Sequence, residues 1–249
     1  MAFALLLTAF SLVNPPVTWS QSHAGHHHMQ SMADVKNGDS VPVLNDPRRE
    51  AKRLSDKRES EMNHHIAGFL VAMAGVFVLF ECLRSGVSSR LRLLWPICFL
   101  LVSLFLFIYS DTEIWPFGPQ SVWHAVTHDF EALQHKTFAL ILLAMGIVEY
   151  QRVRGRWNRS LTPWIFSIAG IAGAVLLLFH RHTMDMHHAA AMQQMQHIEV
   201  QHRWYAAVGA GIVTAKHVSE IPTKWQKIFT IAWPVLMITL GLSLLLYTE

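Results

Sequence analysis

Apolar positions in this chain come in blocks, not at strand or surface-helix periodicity over a polar background. Six blocks run over about residues 64–83, 93–110, 135–151, 162–180, 202–217 and 229–247. Crossing the hydrocarbon of a bilayer takes about 20 apolar residues in a helix, so each block predicts one transmembrane helix, the third and fifth borrowing length from their flanks. A seventh stretch, Phe3 to Val13, is too short to span and ends in Asn14, Pro15 and Pro16. Residues 1–22 therefore read as a signal peptide, with an uncleaved anchor as the alternative because no Lys or Arg precedes the apolar core. Residues 23–63 form a polar tail containing His and Met, followed from Asp46 to Glu61 by alternating charges that suit a solvated juxtamembrane helix. The expected fold is all-α, an integral membrane bundle of about six transmembrane helices over residues 64–249.

The ends of the blocks echo one another. Block two opens Trp95-Pro96 and closes Tyr109-Ser110-Asp111, while block six opens Trp233-Pro234 and closes Tyr247-Thr248-Glu249 at the same spacing. Block four opens Thr162-Pro163, and blocks one, three and five open with His64, His135 and His202. Three copies of a two-helix hairpin give this pattern, and duplicated hairpins commonly build a site between repeats. Part of the echo has a plainer source, since prolines at helix starts and interfacial aromatics recur in any membrane protein.

Charge orients the bundle. Arg84, Arg90 and Arg92 lie between blocks one and two, Arg152, Arg154, Arg156 and Arg159 between three and four, and Lys216, Lys224 and Lys227 between five and six. Short loops rich in Lys and Arg face the cytoplasm, so the remaining loops and both mature termini are expected outside. Composition agrees with a lipid setting: 52% of the residues are hydrophobic and 15% charged. Trp95, Trp164, Trp204 and Trp233 stand near block ends, where an aromatic belt belongs. The net charge of +3 is scattered, which gives no nucleic-acid footprint. Cys82 and Cys98 flank one cytoplasmic loop and are expected as unpaired thiols. No nucleophile elbow, phosphate-cradling glycine loop or dinucleotide fingerprint occurs, so hydrolase and nucleotide chemistry have no support.

The chemistry in the chain is carried by histidine and methionine. Of sixteen histidines, all but His217 fall on the expected outer side. Imidazole binds copper in both oxidation states and the soft thioether selects Cu(I), which makes these two side chains the usable ligands in an oxidising compartment where thiolates are lost. The densest cluster is His180, His182, Met184, Met186, His187, His188, Met192, Met195, His197 and His202. If Met186 to Lys216 is one helix, His188, Met192, Met195 and His202 share a face pointing down toward the membrane. A His- and Met-rich loop that packs on itself is the plainer alternative. His64, His135 and His202 form a second constellation: each opens a helix entering from outside, so a bundle brings them to similar depth. Such a set suits copper or zinc, and two of its members could instead ligate a haem b iron axially. His124 and His128, four apart, can add a pair. Asp111, Glu113, Asp129 and Glu131 can orient imidazoles or simply be solvated. Glu81 and Glu149, at the inner ends of blocks one and three, are expected to snorkel or to pair with nearby Arg.

The helix-opening His64, His135 and His202, the stretch Ser110-Asp111-Thr112-Glu113-Ile114-Trp115-Pro116 and the loop from His180 to His202 together resemble the copper resistance protein D family of bacterial multispan membrane proteins. The resemblance covers most of residues 64–249. Members of that family usually have more than six spans. The resemblance implies a bacterial inner-membrane protein that binds copper at its periplasmic face and takes part in copper transport, delivery or tolerance, partnered by a periplasmic copper carrier or another membrane complex. A b-type haem electron carrier with bis-His ligation and an anchor or assembly subunit of a larger complex are the alternatives.

Overall fold

The computed structural model describes residues 47–84, 86–157, 161–179 and 189–248. The signal peptide expected over 1–22, the tail from 23 to 46 and the loop residues His180, His182, Met184, Met186, His187 and His188 lie outside the described residues, as does the Met192 side chain. Within them the regular elements are all helices: α1 (Pro47–Leu83), α2 (Ser89–Arg92), α3 (Leu94–Tyr109), α4 (Val122–His128), α5 (Phe130–Val153), α6 (Thr162–Leu178), α7 (Ala189–Glu220) and α8 (Gln226–Leu245). Each of the six apolar blocks lies mainly in helix. Four segments, Glu50–Leu83, Ser89–Tyr109, Phe130–Val153 and Gln226–Leu245, are long and apolar enough to cross a membrane; Thr162–Leu178 is apolar but shorter.

Local chemistry sets the helix ends. The Asp129 side chain accepts from the backbone N–H groups of Glu131 and Ala132 at the start of α5. At the other end of α5, Gly155 adopts a positive φ of 70°, while its own N–H reaches Arg152 O and that of Arg156 reaches Gln151 O. Those two bonds satisfy carbonyls the helix leaves open, a geometry that favours glycine at the turning residue. The charged segment before the first block is not separate: it is the first part of α1, a helix of 37 residues. Its polar part is braced against the segment after α3, where Glu59 accepts from the Thr112 N–H and hydroxyl and Lys52 pairs with Glu113 at 2.8 Å.

The long helices form a closed ring in chain order. α1 packs on α3, α3 on α5, α5 on α6, α6 on α7, α7 on α8, and α8 returns to α1. Small residues make that last contact close. A Cβ built on Gly68 would meet Gly241 O at 2.7 Å, and one on Gly241 would meet Ala72 N at 2.4 Å, the backbone approach that small residues permit between membrane helices. Pro234 inside α8 cannot donate to Thr230 O, and the Cys82 thiol of α1 donates to that oxygen at 3.5 Å. The centre of the ring is filled by side chains from all six helices, among them Ala74, Trp95, Met145, Phe166, Ile212 and Met237. Trp95 and Trp233, expected in an aromatic belt, are instead buried there with ring centroids 5.6 Å apart, whereas Trp164 and Trp204 are exposed.

Candidate functional site

One end of the ring carries His64, His135 and His202, which open apolar blocks but not helices: His64 and His202 lie well inside α1 and α7, whose polar first parts extend the helices beyond the blocks. His64 on α1 and His202 on α7 meet with ring centroids 5.9 Å apart and planes at 83°. Tyr247, just beyond α8, is buried and stacks on His64 at 3.8 Å while touching His202 edge-on at 6.3 Å. His202 is itself buried. His135 stands on α5, which packs between α3 and α6 in the ring, and it pairs with Asp111 from the segment after α3. The structure therefore joins two of the three histidines and holds the third separately.

Hydrogen bonds set the same tautomer in all three. His64 Nδ1 lies 2.8 Å from Ser60 O, His202 Nδ1 lies 2.9 Å from Ile198 O, and His135 Nδ1 lies 2.8 Å from Asp111 Oδ1. A carbonyl or carboxylate oxygen accepts, so each Nδ1 is the donor, and when the ring is neutral its lone pair is on Nε2. For His135 the acceptor is Asp111, strongest when ionised. Burial pushes its carboxyl up, but the His135 hydrogen bond and charge, the Ser110 hydroxyl at 2.5 Å and the Lys136 ammonium at 2.9 Å outweigh burial and hold it well below the usual carboxylate range. Lys136 is in turn fixed by Phe107 O at 3.0 Å and Ser110 Oγ at 2.9 Å. The neighbouring His65 is used the other way, its Nε2 lying 3.1 Å from Tyr247 O, an oxygen beyond the end of α8.

An imidazole that donates through Nδ1 to a carbonyl or carboxylate and keeps its lone pair on Nε2 is set up as a metal ligand. No family model, curated protein or solved structure matches this chain. The chemistry of the site thus rests on its own geometry. Among the described residues no group of three or more His, Cys, Asp or Glu side chains is gathered as a metal site. The His64 and His202 pair offers two ligands. Met195 is half-buried on α7, seven residues before His202 on the continuous helix expected there.

The other sequence candidates are placed as follows. His124 and His128 stack at 4.3 Å on the exposed seven-residue α4. His197 is exposed beside Gln201 Nε2 at 2.6 Å. His217 lies 3.0 Å from Ser167 Oγ and packs edge-on to Trp164. Glu113 pairs with Lys52, Asp129 caps α5, and Glu81 pairs with Arg92 at 3.2 Å.

Sequence reasoning missed a second cluster at the opposite end of the ring. Lys216, counted there among loop charges, lies on α7 and is 3% exposed. Its ammonium contacts Glu149 Oε1 at 3.0 Å and Glu220 Oε1 at 2.6 Å. Arg152 pairs with both carboxylates. Spacing held part of this signal, since Lys216 and Glu220 are four apart and Glu149 and Arg152 three apart on their helices. What joins the two pairs is the packing around the ring.

Proposed function

We propose that this protein binds copper ions at the histidine end of a membrane-embedded ring of helices and passes or delivers them. The observation that carries the reading is the common hydrogen bonding of His64, His135 and His202, each with Nδ1 bonded to an oxygen, which in the neutral ring leaves the lone pair on Nε2. Borderline imidazole nitrogen suits copper in either oxidation state, and the 5.9 Å between the His64 and His202 rings leaves the pair within reach of one ion. The His and Met residues from His180 to Met195 supply capture ligands, their thioethers selecting Cu(I). Asp111 acts on His135 as an orienting partner, not as a ligand.

Six membrane crossings are part of this proposal. The Arg and Lys content of alternate loops supports an orientation with the histidine end facing the periplasm of a bacterial inner membrane. The echo of Trp-Pro starts and Tyr ends supports three hairpins, and the contact between Trp95 and Trp233 sets two of those starts against each other. Using the same pair to ligate haem needs a porphyrin-wide slot between the imidazoles, and Tyr247 is in contact with both rings.

Metal analysis and an absorption spectrum of the detergent-purified protein test the reading. Copper is expected in the parent, and the double variant His64→Ala/His202→Ala is expected to lose its tightest ion. A Soret band in the purified protein, or undiminished copper in the double variant, overturns the proposal.

A further inference from the structure

The connection between α3 and α5 carries a pair of imidazoles apart from the His64 and His202 pair. His124 and His128 stand one turn apart on α4, with ring centroids 4.3 Å apart and planes inclined at 25°. Both are exposed. The short helix that presents them is held at each end. Ser121 Oγ accepts from the His124 N–H at 3.2 Å, and the Asp129 N–H donates to Ala125 O at 2.7 Å. Ala125 is buried with Ile114 and Ala132, and Val122 packs on them, so a small apolar core fastens α4 to the start of α5. The spacing of the two histidines is thereby fixed before any ligand arrives.

The ring of His128 is oriented as well. Its Nδ1 lies 3.0 Å from His124 O, which only accepts, and 2.8 Å from Thr127 Oγ1. The Thr127 hydroxyl spends its single hydrogen on Trp123 O at 2.8 Å or His124 O at 3.1 Å, so its oxygen accepts from His128. Nδ1 is therefore the donor, and in the neutral ring the lone pair is on Nε2, the arrangement that a carbonyl partner imposes on ligating histidines. The donors here are nitrogens. From Ser110 to Thr137 the chain has no Met or Cys, and the Asp129 carboxylate beside His128 caps α5 through Oδ1.

We infer that His124 and His128 form a docking site for Cu(II), a two-nitrogen chelate on the connection that also supplies Asp111 to His135. Imidazoles one helical turn apart can close on one ion, and among divalent first-row metals such donors hold Cu(II) most tightly, whereas Cu(I) finds no soft ligand here. The stacked rings are already ordered, so little freedom is lost on binding. The site extends the copper reading to the divalent ion yet does not depend on it: α4 packs on α5, while the His64 and His202 pair joins α1 to α7. An ion held by two side chains keeps its other positions for water or an incoming ligand, which suits capture and release.

The test is titration of the detergent-purified protein with Cu(II)–nitrilotriacetate, read by electron paramagnetic resonance. The chelator leaves two neighbouring positions on the ion, which a pair of imidazoles one turn apart can fill together. His124→Ala, His128→Ala and the double variant are each expected to bind one equivalent fewer than the parent, because a lone imidazole loses on the order of a hundredfold in affinity when its partner no longer acts at high effective concentration. Cu(I) uptake, measured by competition with a colorimetric chelator, is expected to be unchanged in all three. Both side chains are exposed and alanine favours helix, so circular dichroism is expected to match the parent. Undiminished probe binding in the double variant overturns the inference. So does a loss in the double variant equal to the sum of two partial losses in the singles, which would make the histidines independent ligands. A parallel loss of Cu(I) overturns the preference for the divalent ion. His64→Ala/His202→Ala is expected to keep the α4 equivalent: if that variant binds copper as the parent does while the α4 variants lose theirs, the ring-end reading falls and the α4 site stands.

Discussion

Asp111 and His135 face each other across the connection from α3 to α5, with Oδ1 2.8 Å from Nδ1. The opposite oxygen of the same carboxylate holds Lys136, whose side chain is 7% exposed. Asp111→Asn keeps the shape and an acceptor for His135 but leaves a buried ammonium without its counter-ion. We expect a loss of about 3–5 kcal/mol in denaturant unfolding. A loss below about 1 kcal/mol, the range of exposed pairs, would mean that Lys136 finds water instead.

The same pair has a defined acid limb. The carboxyl of Asp111 is lowered in the folded protein, so its contribution is complete above the unfolded-chain value of about 3.9 and is lost as pH falls below it. The stability difference between the parent and Asp111→Asn should stay level from about pH 7 to pH 5 and shrink below about pH 4. Thermal melts across that range check this, and a difference that has already vanished at pH 6 would contradict it.

At the seam between α1 and α8, Gly241→Val places atoms where the backbone of Ala72 lies 2.4 Å from the Cβ position. Backbone cannot yield as a flexible side chain can, so a cost at or above the usual overpacking range of about 1–3 kcal/mol is expected. Gly209 on α7 has open space at its Cβ position, and Gly209→Ala should stabilise by about 0.4–1 kcal/mol through reduced freedom of the unfolded chain. Comparable melting points for the two variants would show that the seam is looser than the contacts imply.

Glu149 and Lys216 should be energetically coupled. Each single change, Glu149→Gln or Lys216→Gln, leaves the buried four-charge cluster with one excess charge and should cost up to about 3–5 kcal/mol. The double variant should cost less than the two singles together, with a coupling of about 1–3 kcal/mol in a double-mutant cycle. Strict additivity would mean that Glu220 and Arg152 already satisfy both charges alone.

Much of the helical architecture was legible in the sequence because block length and the polar breaks between blocks are local properties. The continuous helix carrying Met195 and His202 and the unpaired state of Cys82 and Cys98 were likewise legible. Lys216 was misplaced because a charge near a block end reads as a loop marker, and its ion pair with Glu149 joins α7 to α5, helices that no local pattern connects. Trp95 and Trp233 misled for the same reason: a tryptophan near the end of an apolar block looks interfacial until the ring order turns it inward. Their places at the starts of apolar blocks gave His64, His135 and His202 a common expected depth. Which two would touch depended on α1 and α7 both packing on α8.

That closure has a consequence for how the protein comes into being. The contacts that complete the histidine end join the two extremes of the folded ring, as when His65 meets the Tyr247 carbonyl across a separation of 182 residues. Neighbouring helices can pair as soon as they emerge, but this seam cannot exist until α8 has arrived, and contacts so distant in sequence form late. During synthesis, then, the chain carries its histidines into place with no joined pair between α1 and α7, and that pairing appears in one step when the ring shuts.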